Sequence, residues 1–108
     1  MRSDDVVVVA FESQLTGAAV ESGLRGVFRD GRAQARVVVD CRAMTGYSTE
    51  ARERFVAWFR GHRHAIPRTA VVTDNTLWHM VVRAMALASQ QEMRPFADLQ
   101  EAKAWARG

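Results

Sequence analysis

Short apolar runs alternate with segments of helical periodicity along the whole chain, and this alternation limits the folds that are open to it. The runs are Val6–Phe11, Val37–Val39, Ala70–Val72 and the weaker Met93–Phe96. Strands that alternate with helical segments are typical of an α/β protein with a mainly parallel sheet. The sequence therefore predicts four successive β/α units around a mostly parallel four-stranded sheet. In such sheets a functional site is expected just beyond the carboxyl ends of the strands.

Caps, apolar stripes and turn residues predict where each element lies. Strands are expected over Val6–Phe11, Arg36–Cys41, Thr69–Thr73 and Gln91–Phe96. The last of these should form a sheet edge, because Pro95 lacks an amide hydrogen. The segment Arg42–Tyr47 between the second strand and the next helix is predicted to be a loop.

Each predicted helix has a capping residue and an apolar stripe. The first helix is expected to start at Ser13 or Thr16 and to reach about Phe28. The second has Ser48 or Thr49 as its cap and buries Ala51, Phe55, Trp58, Phe59 and His62. The third has Asp74 or Asn75 as its cap and buries Leu77, Val81, Ala84, Met85 and Ala88. An aspartate cap at Asp98 predicts a last helix over Leu99–Arg107.

Composition indicates one soluble domain. Of the 108 residues, 48% are hydrophobic and 25% are charged, as in ordinary globular proteins, so a single domain over residues 1–108 is expected. No apolar stretch reaches the ~20 residues of a membrane span. The start, Met1–Asp5, carries acids and leads directly into a strand, which is not the pattern of a signal peptide. We therefore expect a cytoplasmic protein without a membrane span.

The single cysteine, Cys41, excludes an internal disulfide and a multi-cysteine zinc site. We interpret it as a small buried hydrophobic residue. The neighbouring carboxylate of Asp40 should raise the pKa of the thiol, which makes a nucleophilic role unfavourable.

The charge balance of +3 comes almost entirely from arginine. Arginines between Arg42 and Arg68 outnumber Glu50 and Glu53, and we interpret them as a solvated helix face rather than as a site for an acidic partner. No recognition helix, zinc finger or aromatic-rich motif indicates binding of nucleic acid. His62 and His64 lie two residues apart, so a helix would point them to different sides and they do not form a metal site. No metal and no cofactor are expected.

Asp40 and Asp74 follow apolar runs on neighbouring predicted strands, where they could converge as paired carboxylates. Each also has a structural interpretation, since aspartate is favoured where strands end and helices begin. No Gly-x-Ser-x-Gly elbow, phosphate-binding glycine loop or Rossmann fingerprint is present. A catalytic role is therefore not expected.

The order of segments and several of their residues resemble a known family. The resemblance rests on three regions of the chain. The first is Val37–Asp40 with the following Cys41–Tyr47 and the helix from Ser48, the second is Val71–Asp74 with Leu77-Trp78, and the third is the closing Ala102–Trp105. Over residues 5–107 this pattern resembles the SpoIIAA-like proteins, the STAS-type domains related to bacterial anti-sigma-factor antagonists. The resemblance implies a shallow superhelix of β/α units and a non-catalytic regulatory domain that binds other proteins.

The resemblance also implies a candidate switch. In the antagonists, a partner kinase phosphorylates a serine in an Asp-Ser-Ser/Thr-Gly loop and so changes partner binding. This chain instead reads Met44-Thr45-Gly46-Tyr47-Ser48-Thr49, with Thr45 before Gly46 as the nearest match. Our hypothesis is that Thr45, Ser48 and Thr49, together with Asp40 and Asp74, form a partner-binding surface with a phosphorylation switch. The alternative for Ser48 is a helix cap.

Two further expectations concern partners. The valine runs are apolar on both faces, so a sheet with helices on one side would leave a bare face for a homodimer or another partner. Alternatively, some helices cover the second face, as in doubly wound folds. A different function remains open as well: a small apolar ligand or lipid, bound as in SEC14-like domains. The candidate lining residues for such a ligand are Trp58, Trp78, Met80, Met85 and Trp105.

Overall fold

In the computed structural model, residues 6–29 and 31–108 are described, and within them four strands alternate with four helices. The strands are β1 (Val6–Leu15), β2 (Arg36–Tyr47), β3 (Thr69–Val72) and β4 (Met93–Phe96). The helices are α1 (Gly17–Leu24), α2 (Thr49–Gly61), α3 (Thr76–Ser89) and α4 (Leu99–Arg107). Neighbouring strands are parallel in the order β1-β2-β3-β4, which confirms the predicted β/α architecture. Residues 1–5, on which the expectation about a signal peptide rests, lie outside the described residues.

Helices pack on both faces of the sheet. Val37, Val39 and Val71 point to the face covered by α1, α2 and α3, whereas Val38, Ala70 and Val72 point to the face covered by α4. The valine runs are continuous because both of their faces are buried. The prediction of a bare second face is therefore wrong over β2 and β3, and the doubly covered alternative is the one observed.

The second face stays partly open at β1. Val8, which pairs with Val38 in the parallel register, is 44% exposed, and Ala10 is also exposed. The α4 helix lies mainly over β2 and β3, so it does not extend across the whole of the edge strand. Among residues 6–29 and 31–108, no helix has the length and apolar character needed to cross a membrane.

The segment predicted to be a loop is instead a strand. Residues 43–47 of β2 pair with residues 12–15 of β1, and register shifts interrupt the pairing after Ala10 and after Ser13. Ser13 itself has φ 59°, in the left-handed region, a conformation found at bulges. Since β3 ends opposite Asp40, β1 and β2 continue past it as a two-stranded ribbon. We call residues 12–15 and 43–47 the ribbon.

The first helix is shorter than predicted. It ends at Leu24, and the next turns close with bonds from the N–H of Val27 and Arg29 to carbonyls three residues back. The glycine at 23 serves close packing on the sheet, because a Cβ there would come within 2.5 Å of the ring of Phe11.

The helix caps agree with the sequence, and each cap side chain accepts a backbone N–H. They are Thr16 for α1, Ser48 for α2, Asn75 for α3 and Asp98 for α4. The predicted α2 stripe also agrees, with Ala51, Phe55 and Phe59 buried and Trp58 and His62 half-buried.

The predicted buried stripe of α3 is partly wrong. Leu77, Ala84 and Ala88 are exposed. Met85, a member of the predicted stripe, is half-buried on the side that faces the core, as is Trp78, and the buried residues on that side are Val82 and Ser89. Apolar residues lie on both sides of this helix, so periodicity alone could not show which side is buried.

Candidate functional site at the carboxyl edge of the sheet

At the carboxyl edge of the sheet, on the α4 face, Asp40 holds Arg42 in a two-pronged ion pair. The Nε of Arg42 lies 2.9 Å from Oδ1 of Asp40 and its Nη2 lies 2.8 Å from Oδ2. The backbone N–H of Arg42 also donates to Oδ1, at 3.1 Å. These hydrogen bonds lower the pKa of Asp40 against the opposing effect of its partial burial. Because β2 runs to Tyr47, Asp40 lies within this strand. The interpretation of Asp40 as a residue that ends its strand is therefore wrong.

Two more carboxylates lie close enough to Arg42 for their charges to raise its pKa, after the larger effect of Asp40. They are Asp74, exposed just after β3, and Asp98, whose Oδ2 accepts the N–H of Glu101 at 2.9 Å and so caps α4. The sequence predicts that Asp40 and Asp74 could converge as paired carboxylates; in the structure Asp40 is paired with Arg42, and Asp74 acts on that guanidinium through its charge. A carboxyl group whose pKa is lowered by a neighbouring arginine stays ionised and is a poor general acid. The arrangement therefore favours a charged surface over acid–base chemistry.

On the opposite face of the sheet, an apolar cleft of about 50 Å³ opens at the same edge between the ribbon, α2 and α3. Tyr47 and Trp78 meet edge to face there, with ring centroids 5.6 Å apart. Other apolar side chains that line the cleft come from all the surrounding elements: Phe11, Leu15, Met44, Phe55, Val71, Val82 and Met85. Such a lining can accept an apolar group and offers little to a polar one.

Cys41 also lines this cleft. Burial, and secondarily the charge of Asp40, raise the pKa of its thiol to about 12. The direction expected from Asp40 is confirmed, although burial is the larger cause. The thiol stays protonated at neutral pH, which disfavours nucleophilic chemistry.

The hydroxyl candidates lie close in sequence to the cleft residues Met44, Tyr47 and Ala51 but differ in accessibility. Thr45 is exposed at the second irregularity of the ribbon, between Met44 and Gly46, which pair with β1. Thr49 is exposed as the first residue of α2. Ser48 is half-buried, and its Oγ accepts the N–H of Ala51 at 3.0 Å. The cap interpretation of Ser48 is thus confirmed, and Thr45 and Thr49 are the hydroxyls that face solvent.

Two of the three histidines, His62 and His79, have structural partners. Nδ1 of His62 donates to the carbonyl of Trp58 at 2.7 Å, and its ring stacks on Trp58 and Phe28. Nε2 of His79 donates to the carbonyl of Thr73 at 2.8 Å. In the described part of the chain, no group of three or more His, Cys, Asp or Glu side chains is placed to hold a metal ion.

Sequence reasoning missed several residues of the site. The sequence predicts a loop at Arg42 and Tyr47. In a strand that continues past Asp40, Arg42 lies two residues further on and therefore on the same face as Asp40. Asp98 was recognised only as a cap. Its approach to Arg42 depends on how α4 docks, for which the sequence offers no local signal.

Comparison with known proteins fits this architecture. A family model described as SpoIIAA-like matches residues 6–107. The chain belongs to the SpoIIAA-like family. This confirms the resemblance drawn from the sequence pattern.

A solved structure supports the fold of this SpoIIAA-like domain. It is the crystal structure of an uncharacterized protein from the DUF3478 family with a SpoIIAA-like fold, from Shewanella loihica PV-4. The two chains superpose with a TM-score of 0.76 over 98% of this chain and 89% of that chain, at 18% sequence identity. At that identity the similarity shows the fold alone. A search of curated proteins finds no match to this SpoIIAA-like chain.

Proposed function

We propose that this SpoIIAA-like chain is a single regulatory domain of the cytoplasm that acts by binding another protein and not by catalysis. The observation that carries the proposal is an apolar cleft with exposed polar residues next to its lining: Thr45 follows the lining residue Met44, Thr49 lies two residues before the lining residue Ala51, and Asp74 follows the lining residue Thr73. We call these exposed polar residues the rim. Apolar centres with polar rims are typical of protein–protein contact surfaces. We infer that an apolar side chain of the partner enters the cleft while polar groups of the partner meet the rim.

We further propose that phosphorylation by a partner kinase switches this surface. A phosphate on Thr49 would lie at the start of α2, where the helix dipole and backbone N–H groups favour an anion. A phosphate on Thr45 would add charge to the exposed ribbon beside the cleft. Ser48 is the weaker acceptor, because its oxygen already caps the helix.

Pull-down with the whole chain, followed by identification of the bound proteins, tests this proposal. In a Thr45→Ala/Thr49→Ala variant we expect loss of a partner that wild type retains, or loss of its dependence on phosphorylation. The matched control is Ser22→Ala, which removes an exposed hydroxyl on α1, away from the cleft. If the double variant and a separate Ser48→Ala variant both keep every partner of wild type, whether or not the proteins are phosphorylated, the proposal is wrong.

Binding of a small apolar ligand is the second candidate function. Trp78 and Met85, two of the lining residues expected for such a ligand, line the cleft. However, Trp58 stacks with Phe28, and Trp105 lies on α4 against Phe96. The cleft volume of about 50 Å³ is also far below the ~300–1,000 Å³ of typical ligand pockets. Native mass spectrometry of freshly purified protein separates the two, since a co-purified apolar mass would favour the ligand.

A further inference from the structure

Helix α3 has an apolar face that points to solvent. Leu77, Met80 and Leu87 are 72%, 70% and 83% exposed, and Ala84 and Ala88 are exposed beside them. Their spacing places them in one stripe along the helix. Because the opposite side of α3 is already packed on the sheet, the helix has apolar residues on two sides. We call these exposed residues of α3 the outer stripe.

A groove of about 460 Å³ runs beside the outer stripe, between α3 and α2. Val56 and Met85 contribute apolar surface to it, and the charged side chains of Arg52 and Glu53 also line it. The stripe and the groove together form a continuous surface with an apolar centre. Exposed apolar surfaces of this kind mark contact sites.

The arrangement of the stripe matches a second copy of itself. If two α3 helices cross in opposite directions near Ala84, Met80 of one copy lies against Leu87 and Ala88 of the other, and the reverse contacts form by symmetry. The small side chain of Ala84 then lies at the crossing point, where it permits close approach. Each end of the stripe thus contacts the opposite end of the stripe on the other copy. Such self-complementarity suits a twofold interface, in which the same patch is used on both subunits.

The charges on α2 fit the same symmetry. Helices α2 and α3 follow parallel strands and run side by side, with Glu53 near Met80 and the guanidinium of Arg60 bonded to the carbonyl of Ala88. A twofold axis at Ala84 therefore brings Glu53 of one copy toward Arg60 of the other, on both sides. Opposite charges that meet across an interface fix its register.

From these observations we propose that the outer stripe of α3 is the interface of a homodimer in which the two α3 helices pack in opposite directions. The proposal is independent of partner binding at the carboxyl edge. It also differs from the dimer expected from the sequence, which would form through the second face of the sheet. Helix α4 covers most of that face.

Light scattering across a wide concentration range is the first test, and we expect wild type to be a dimer. A Met80→Glu/Leu87→Glu variant should have a dissociation constant at least roughly a hundredfold higher, because charges would enter the apolar centre. The control is Val8→Glu, which places a carboxylate on the exposed part of the sheet and should leave the dimer intact. Circular dichroism checks that each variant is folded.

Cross-linking tests the geometry in a Cys41→Ser background. Ala84→Cys lies at the proposed axis and should oxidise to a covalent dimer at least about tenfold faster than Ala104→Cys, an exposed alanine on α4. Equal rates would overturn the proposal, as would a wild-type monomer at high concentration. A dimer that Val8→Glu disrupts and Met80→Glu/Leu87→Glu does not would assign the interface to the sheet edge instead. A monomer whose outer stripe binds a different protein would also refute the proposal.

Discussion

At the scale of single residues, the chemistry of Cys41 follows from its place in the cleft. Because the pKa of the thiol is raised to about 12 from an ordinary 9.0, little thiolate is present at neutral pH. We expect alkylation of the folded protein at pH 8 to be on the order of a hundredfold slower than that of the urea-unfolded chain. The rate should keep rising with pH as the buried thiol ionises. Stopped alkylation assays read by mass spectrometry measure both rates.

An exposed cysteine at another position provides the control for this measurement. Ala104→Cys in a Cys41→Ser background should react at nearly the same rate folded and unfolded, because residue 104 faces solvent. If Cys41 in the folded protein reacts as fast as this control, the thiol is neither buried nor shifted in pKa, and its placement in the apolar lining of the cleft is wrong.

At the scale of elements, the start of α2 separates a structural hydroxyl from an accessible one. Ser48→Ala removes the acceptor for the N–H of Ala51 and should lower the free energy of unfolding by about 1 kcal/mol. Thr49→Ala removes an exposed hydroxyl at the next position and should change it by less than about 0.5 kcal/mol. Urea unfolding measures both. Equal losses would show that Thr49 contributes to the cap, which would weaken its assignment to the rim.

The fold was predictable where local chemistry decides it. Apolar runs located every strand, and capping residues located the starts of α2, α3 and α4. The ribbon was not predictable, because Arg42–Tyr47 has no apolar alternation of its own and is a strand only through pairing with β1. The buried side of α3 was missed for a different reason: either side could be buried by periodicity, and only packing on the sheet decides.

The candidate site was predictable in its location and less so in its roles. Strand order alone places Asp40, Asp74 and the hydroxyls at one edge of the sheet. The engagement of Asp40 by Arg42 depends on the continuation of β2, and the approach of Asp98 depends on the docking of α4. Contacts between distant segments thus determine which of the predicted groups remain accessible.

At the scale of the whole molecule, α4 alone buries the second face of the sheet in the described part of the chain. Ala102 and Ala106 are fully buried against Val38, Ala70 and Val72, and these small side chains let the helix lie close to the strands. Arg68 secures the end of α4 by donating to the carbonyl of Trp105 at 2.6 Å while its guanidinium lies 4.9 Å from the centre of that ring. The sheet therefore separates the apolar cluster under α4 from the larger cluster under α1, α2 and α3.

A charge placed under α4 tests this arrangement. Ala102→Glu should lower the free energy of unfolding by at least about 3 kcal/mol, because a carboxylate would be buried without a partner. Helix α4 would leave the sheet first, so binding of a hydrophobic dye should increase before the larger cluster under α1, α2 and α3 is lost. Ala104→Glu, on the exposed side of the same helix, should change stability by less than about 0.5 kcal/mol. Equal effects of the two substitutions would mean that α4 does not cover the sheet, and the valines of the second face would then need another partner to bury them.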